Sequence, residues 1–279
     1  MTVVGLALGA AVGWGTSDFI GGLKSRTIPL LSVMLISQTT ALALLAAIIA
    51  VRGAGPPDAA SLGFAAAAGA AETVAIAALY RGLAVGTMSI VAPVAALAPV
   101  VPLLAGLALG EIPSPLQFTG LALATLGLVV TSWGSGRDGT GPRVLPSVLY
   151  GLLAALGFGG FFIAMDSASE GDVGWALLTA RLTAVTAIIA LAAVRRHRPA
   201  APRADVPYLL LIGVLIVTAD ALYATASTHG LVSIAAVLGS LHTLVTIALA
   251  RVVLRERLER PQQAGIAAAL AGVLAISAG

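Results

Sequence analysis

Five ionisable residues lie inside strongly apolar stretches of the sequence, and these are the groups best able to do chemistry. On insertion scales such a side chain costs roughly 2.5 to 3.5 kcal/mol at the centre of a bilayer, so it usually faces a cavity or a partner. We expect these residues, together with one polar residue of similar setting, to line or gate a substrate path. They are Asp18, Glu72, Arg181, Asp220 and His242, with Gln38 as the polar residue.

Glu72 and Arg181 carry opposite charges at similar predicted depth, so each offsets the burial of the other. We expect this pair to line or gate a central cavity. A fixed ion pair that only holds helices together fits the sequence equally well, since a buried pair alone is weak evidence for function.

Three of the ionisable residues are rival candidates for carrying a proton. The side chain of His242 can gain or lose a proton near neutral pH, because the unperturbed pKa of histidine is about 6.5. A lone histidine in a membrane helix is, however, often only a hydrogen-bond donor between helices. Asp18 and Glu72 compete for the role, because a carboxyl group in a poorly hydrated cavity holds a proton more readily than one in water.

Aromatic residues accompany the charges. Trp14 precedes Asp18 by four residues, which puts both on one face of a helix. We expect Trp14, Phe158, Tyr80 and Tyr223 to form an amphipathic lining for an organic solute. The two tyrosines lie near the ends of their apolar stretches, so interfacial anchoring is the alternative for them.

The composition indicates that these groups are surrounded by lipid and not by water. Of 279 residues, 59% are hydrophobic and only 10% are charged, whereas soluble domains carry about 25% charged residues. An ordinary soluble protein, a disordered chain and a nucleic-acid-binding protein are thereby excluded. The absence of cysteine excludes disulfides, thiolate nucleophiles and cysteine-based metal sites, and no cofactor is expected.

Ten apolar segments are long enough to cross about 30 Å of hydrocarbon. Spans of this length in lipid must be helices, because an unpaired backbone amide finds no water there. The sequence therefore predicts an all-α integral membrane protein with ten spans. These lie at about 2–22, 29–51, 60–80, 87–109, 115–134, 145–165, 173–194, 206–226, 231–250 and 261–278.

The basic residues predict the orientation of the spans. Of fifteen lysines and arginines, thirteen lie at odd-numbered connections, and only Arg52 lies at an even-numbered one. Cytoplasmic connections carry the excess of basic residues. Both termini are therefore expected outside the cytoplasm, in a multi-pass protein of the plasma (cytoplasmic) membrane.

This orientation assigns a depth to each polar residue in its span. Asp18 is expected toward the cytoplasmic end and Asp220 in the outer third. The residues expected near mid-depth are Gln38, Glu72, Arg181 and His242.

The chain also repeats itself at a separation of 143 to 145 residues. The segment LISQTTALALLAAIIAVR (35–52) matches LTARLTAVTAIIALAAVR (178–195), and LALGEIPSPLQFTGLALATLG (107–127) matches VVLRERLERPQQAGIAAALAG (252–272). Each repeat holds five spans, an odd number, so the copies must cross the membrane in opposite directions. We expect two inverted units, 1–137 and 138–279, with a substrate site near mid-membrane where they meet.

The ten spans, the five-plus-five duplication, the LGE and LRE endings of spans 4 and 9 and the following Q..G pattern resemble EamA-type members of the drug/metabolite transporter superfamily. The resemblance implies a secondary carrier that works by alternating access, commonly an exporter of amino acids or other small metabolites. It also implies that Arg181 and Pro99 occupy positions where this family often has an arginine and a proline. The chain departs from the pattern where Gln38 replaces the first-half arginine and where span 9 lacks a proline.

Three prolines in span 4 are candidate hinges. Pro93, Pro99 and Pro102 remove amide donors and bend or loosen the helix, which suits a moving element.

Two other classes of function compete with a carrier. An intramembrane enzyme could pair His242 with a serine from another helix, and a membrane scaffold subunit would need no chemistry at all. For the carrier, the expected partners are a small-molecule substrate, the lipid bilayer and protons as coupling ion, without nucleic acid, in a monomer or homodimer.

Overall fold

The computed structural model describes residues 3–25, 27–85, 94–95, 97–110, 112–133, 144–253 and 260–278, and all regular secondary structure within these ranges is helical. The helices are α1 (Val3–Lys24), α2 (Leu30–Arg52), α3 (Ala59–Val85), α4 (Val100–Ala108), α5 (Pro115–Trp133), α6 (Val144–Ser169), α7 (Val173–Val194), α8 (Val206–Ser227), α9 (Val232–Ser240), α10 (His242–Val253) and α11 (Arg260–Ala278).

Six of these helices, within the described ranges, are long and apolar enough to cross a bilayer: α1, α2, α3, α6, α7 and α8. The prediction of a multi-pass, all-helical membrane protein is confirmed. The apolar parts of α5 and α11 are shorter, Pro115–Val130 and Gln263–Ile276. The count of ten spans therefore stays a prediction.

The predicted span 231–250 is not one continuous helix. Leu241 interrupts it between α9 and α10, and its amide donates to the carbonyl of Leu238 (3.2 Å). Just before the interruption, the Ser240 hydroxyl donates to the carbonyl of Ala236 (2.8 Å), a hydrogen bond from side chain to backbone of a kind that often bends helices. The interruption therefore occurs in a span that contains no proline.

The predicted span 87–109 is described only in part. Residues 97–99 form a turn, and α4 begins directly after Pro99. A proline at a helix start loses no hydrogen bond, because the first amides of a helix have no acceptor within it. Pro102 is buried within α4, and Pro93 lies outside the described residues.

Small residues let the helices approach closely where α5 crosses α11. Gly127 faces the backbone of Gly265 and Ala269, and Gly120 faces the backbone of Gly272. Any side chain at these glycines would overlap the opposite backbone. Because ascending numbers on α5 meet descending numbers on α11, the two helices run antiparallel.

The contacts of other glycines recur 143 or 144 residues later on corresponding helices. In each pair, a first-half glycine and its second-half counterpart approach equivalent positions on the partner helix. The pairs are Gly13 on Ala219 with Gly157 on Ala75, Gly15 on Val245 with Gly159 on Val101, and Gly69 on Ala180 with Gly213 on Ser37. The sequence repeat is thus accompanied by a repeat of packing.

Two ion pairs lie at opposite ends of the helices. Arg52 binds both carboxylate oxygens of Asp172 (3.0 and 2.7 Å), and Lys24 binds Asp205 (2.7 Å). The Arg52 hydrogen bond holds the pKa of Asp172 below its ordinary value. Arg52, the exception in the charge pattern, therefore has a local electrostatic partner.

Candidate functional site

Arg181 is the centre of a buried charge cluster formed by α2, α3, α7 and α8. Its side chain is 2% exposed. Nη1 donates to Oε1 of Gln38 (2.5 Å) and lies 3.3 Å from both carboxylate oxygens of Glu72. Nη2 forms an ion pair with Asp220. The two residues expected to pair from sequence, Glu72 and Arg181, are in contact, and two further polar groups join them.

Close helix packing brings this guanidinium to its partners. Gly69, three residues before Glu72, lies against the carbonyl of Ala180, next to Arg181. A larger residue at position 69 would push α3 away from α7. The short distance between the two backbones lets the long arginine side chain reach past α3 toward α2 and α8.

Asp220 and Arg181 lie at nearly the same distance from one end of their helices. We expected Asp220 in the outer third of its span and Arg181 near mid-depth, and the two side chains are in contact. Arg181 lies eight residues after the start of α7, and Asp220 lies seven residues before the end of α8. Consecutive spans run in opposite directions, so these two ends lie at the same face. Counting both residues from that face would have predicted the contact.

A cluster of four aromatic rings lies beside the charges. Trp14 donates from Nε1 to Oδ1 of Asp220 (2.8 Å), and its ring lies 5.6 Å from Tyr223, 6.2 Å from Phe162 and 6.4 Å from Phe161, measured between centroids. The last three rings also contact one another, with centroids 5.0 to 6.2 Å apart. These rings pack too closely to hold a solute between them in this conformation.

Sequence reasoning selected only part of this aromatic cluster. Phe158 is half-buried on α6, and the rings that contact Trp14 are those of Phe161 and Phe162, one turn further along. The i+3 and i+4 spacing from Phe158 was the signal that we missed. Tyr223 is fully buried and donates to the carbonyl of Phe162 (3.1 Å), so interfacial anchoring is wrong for it. The side chain of Tyr80 lies outside the described residues.

His242 and Asp18 extend the polar network toward the surface. Nδ1 of His242 lies 2.9 Å from Oδ2 of Asp18, and the two side chains are 33% and 48% exposed. The His242 ring meets the Trp14 ring edge to face at 6.2 Å. A connected series of polar and aromatic groups thus runs from the buried Arg181 to the partly exposed Asp18.

A polar cavity of about 460 Å³ opens on the other side of the aromatic cluster. Asp166 lies one turn after Phe162 on α6, and Ser227 lies one turn after Tyr223 on α8. The aromatic contact between Phe162 and Tyr223 therefore lies between the cavity and Asp220. The lining residues are Asp166, Ser169, Glu170, Ser227, Thr228, Gly230, Leu231 and Val232.

The model of the EamA-like transporter family matches the chain twice, over residues 1–133 and 145–278. The chain belongs to the EamA-like transporter family. The resemblance inferred from the sequence is thereby confirmed. Because members of this family are transporters, the family match disfavours the alternative of an intramembrane enzyme.

One solved structure shares the fold of this EamA-family chain over nearly its whole length. A crystal structure described only as that of a protein has a TM-score of 0.77 with this chain, at 18% identity, covering 98% of this chain and 95% of the other. At that identity the likeness concerns the fold alone. No curated protein matches the chain significantly.

Proposed function

We propose that this EamA-family protein is a secondary active transporter that exports small organic metabolites, such as amino acids, by alternating access. The observation that carries the proposal is the buried cluster around Arg181. Four helices contribute polar or charged side chains to it, from both sequence repeats. Such groups are costly inside a membrane and typically mark substrate or ion pathways.

The cluster has the donors and acceptors that an amino acid requires. The guanidinium of Arg181 suits a substrate carboxylate, while Glu72 and Asp220 suit an ammonium group. Nε of Arg181 is buried and has no hydrogen-bond acceptor among the described residues. An oxygen of a bound substrate would satisfy this donor.

We also propose that the transporter consists of two inverted five-span units, 1–137 and 138–279, with ten spans in total. The antiparallel crossing of α5 and α11 and the glycine contacts that recur in the second half support this division. Inverted repeats that rock against one another are a common basis of alternating access. The interruptions at Pro99 and Leu241 are the proposed bending points.

The proposed orientation keeps both termini outside the cytoplasm, in the plasma membrane, with a monomer or homodimer as the working unit. The excess of basic residues at alternate connections supports it. Lys24 and Asp205 would then lie at the cytoplasmic face, and Arg52 and Asp172 at the outer face.

Neither alternative class has a specific observation in its favour. Within the described residues, His242 approaches Asp18 and Trp14. The hydroxyl groups of Ser17 and Ser240 donate to backbone carbonyls of their own helices. A serine activated by His242, which the enzyme alternative requires, is therefore not supported by these contacts.

Transport by the purified protein in proteoliposomes tests the proposal. A panel of radiolabelled amino acids and other small metabolites is offered with and without a pH gradient, and protein-free liposomes serve as control. We expect saturable uptake or exchange of at least one solute. A complete panel without protein-dependent movement in either condition would contradict the carrier function.

A further inference from the structure

We infer that Glu72 binds and releases a proton inside the buried cluster and is the coupling site of the transporter. The coupling role rests on the proposed function, whereas the proton site rests on the charges and contacts of the cluster itself. Neither the family match nor the similar fold assigns a role to this residue.

The charges of the cluster do not balance when all of its groups are ionised. Two carboxyl groups, those of Glu72 and Asp220, share one guanidinium, that of Arg181. If both carboxyl groups were ionised, the cluster would hold one uncompensated negative charge. An unpaired charge in a low-dielectric interior is strongly unfavourable. One proton on one of the two carboxyl groups makes the cluster neutral.

The two carboxyl groups differ in their hydrogen bonds. Asp220 is 1% exposed and accepts on both oxygens, from Nε1 of Trp14 (2.8 Å) and from Nη2 of Arg181. These donors stabilise its ionised form. Among the described residues, the donor that faces Glu72 is Nη1 of Arg181, at 3.3 Å, and that nitrogen also donates to Gln38 at 2.5 Å. Glu72 is therefore the carboxyl group with the weaker support for a negative charge.

Other groups surround Glu72 besides its direct partners. Arg181 on α7, Asp220 on α8 and Asp18 on α1 act on Glu72 electrostatically, and Gln38 on α2 is neutral. From α6, Gly157 and Gly160 lie against the neighbouring Ala71 and contribute no charge. Asp18 in turn lies 2.9 Å from Nδ1 of His242, so the balance of charge in the cluster itself depends on Glu72, Asp220 and Arg181.

Access distinguishes Glu72 further. Its side chain is 13% exposed, whereas those of Arg181 and Asp220 are 2% and 1% exposed. Of the three charged side chains, Glu72 is therefore the one that the surrounding protein encloses least.

A proton on Glu72 would change what the cluster can bind. The ionised carboxylate of Glu72 suits the ammonium group of an amino acid, as proposed above, and a proton on Glu72 removes this negative partner. Protonation of Glu72 and binding of the ammonium group should therefore compete. Competition of this kind couples export of the substrate to entry of a proton.

Isotope-edited infrared spectroscopy of the purified protein at neutral pH tests the proton site. Exposed carboxyl groups are ionised at this pH, so a protonated carboxyl group gives a separate C=O band. We expect this band to shift when glutamate carboxyl carbons carry ¹³C, and not when aspartate carbons do. Glu72→Gln should abolish it, and Glu170→Gln, at an exposed position, should leave it unchanged.

Three results would overturn the proton site. They are a band that shifts with labelled aspartate, a band that survives Glu72→Gln, and no band at neutral pH. Transport provides the second measurement: a pH gradient should stimulate the wild type but not Glu72→Gln. A Glu72 band together with transport that ignores the gradient would overturn the coupling role. A band without transport of any solute would instead refute the proposed function.

Discussion

Arg181 of α7 and Asp220 of α8 form an ion pair whose side chains are only 2% and 1% exposed. Trp14 of α1 completes the pair by donating to the second carboxylate oxygen of Asp220. This arrangement joins one helix of the first repeat to two helices of the second. Because a buried charge must keep its partners, any movement between the repeats has to exchange these contacts for others.

Loss of the guanidinium should destabilise the protein strongly. Arg181→Gln leaves the buried Asp220 without a counter-charge, and removal of one partner from a buried pair costs about 3 to 5 kcal/mol. Thermal unfolding of the purified protein measures the change. The variant that also carries Asp220→Asn should recover part of the loss.

The control for Arg181→Gln is Arg52→Gln, which removes an arginine from an exposed ion pair with Asp172. Exposed ion pairs contribute little to stability, so the control should unfold close to the wild type. Equal destabilisation by both substitutions would show that the buried cluster has no special energetic role.

The indole N–H of Trp14 should matter more than that of another tryptophan. Trp14→Phe keeps an aromatic ring but removes the donor to the buried Asp220 (2.8 Å), which costs about 1 to 3 kcal/mol of stability. Trp175→Phe is the matched control, because its N–H donates to a backbone carbonyl, that of Ala54 (3.1 Å), in a partly buried setting. Chemical denaturation should rank Trp14→Phe as clearly less stable; the opposite order would refute the importance of the Trp14 contact.

The crossing of α5 and α11 should tolerate no added methyl group. A Cβ atom at Gly127 would lie 2.5 Å from the amide nitrogen of Ala269, and such overpacking typically costs about 1 to 3 kcal/mol. At Gly63 on α3 a Cβ atom meets nothing within 4 Å, so Gly63→Ala should be neutral or gain up to about 1 kcal/mol from helix propensity. Thermal unfolding of the two alanine variants provides the comparison, and a stable Gly127→Ala would contradict the close crossing.

The orientation can be tested with single cysteines, since the chain contains none. Gly55→Cys lies between α2 and α3, and Ala204→Cys lies between α7 and α8, both at exposed positions. A membrane-impermeant maleimide applied to intact cells should label position 55 and not position 204. Labelling of position 204 alone would reverse the proposed topology, and labelling of both would reject a single orientation.

Periodicity and length sufficed to predict the long helices, because a bilayer requires continuous apolar helices whatever their neighbours are. The interruption at Leu241 was not predictable in this way. It depends on local hydrogen bonds, such as that from Ser240 to Ala236, and not on a proline or on hydropathy. The break before α4 did have a sequence signal in Pro99.

The charged partners were predictable by type and only in part by position. The cost of isolated charges in lipid was enough to single out Glu72, Arg181 and Asp220. The contact between the last two follows from their similar distance from one end of α7 and α8, which a depth assigned to each span separately did not reveal. Phe161 and Phe162 were missed although their spacing of three and four residues from Phe158 puts them on the same face of the helix.

Alternating access, as proposed, requires that the Arg181 cluster lie on a water path that opens to each side of the membrane in turn. Gln38 is uncharged, 5% exposed and hydrogen-bonded to Arg181, so a cysteine at this position reports on the water path. The most direct measurement is the reaction of Gln38→Cys with a small membrane-impermeant thiol reagent, applied from either side of oriented proteoliposomes. We expect labelling from both sides, and the ratio of labelling from the two sides should change when a transported solute is added. Labelling confined to one side under all conditions, or none from either side, would contradict alternating access.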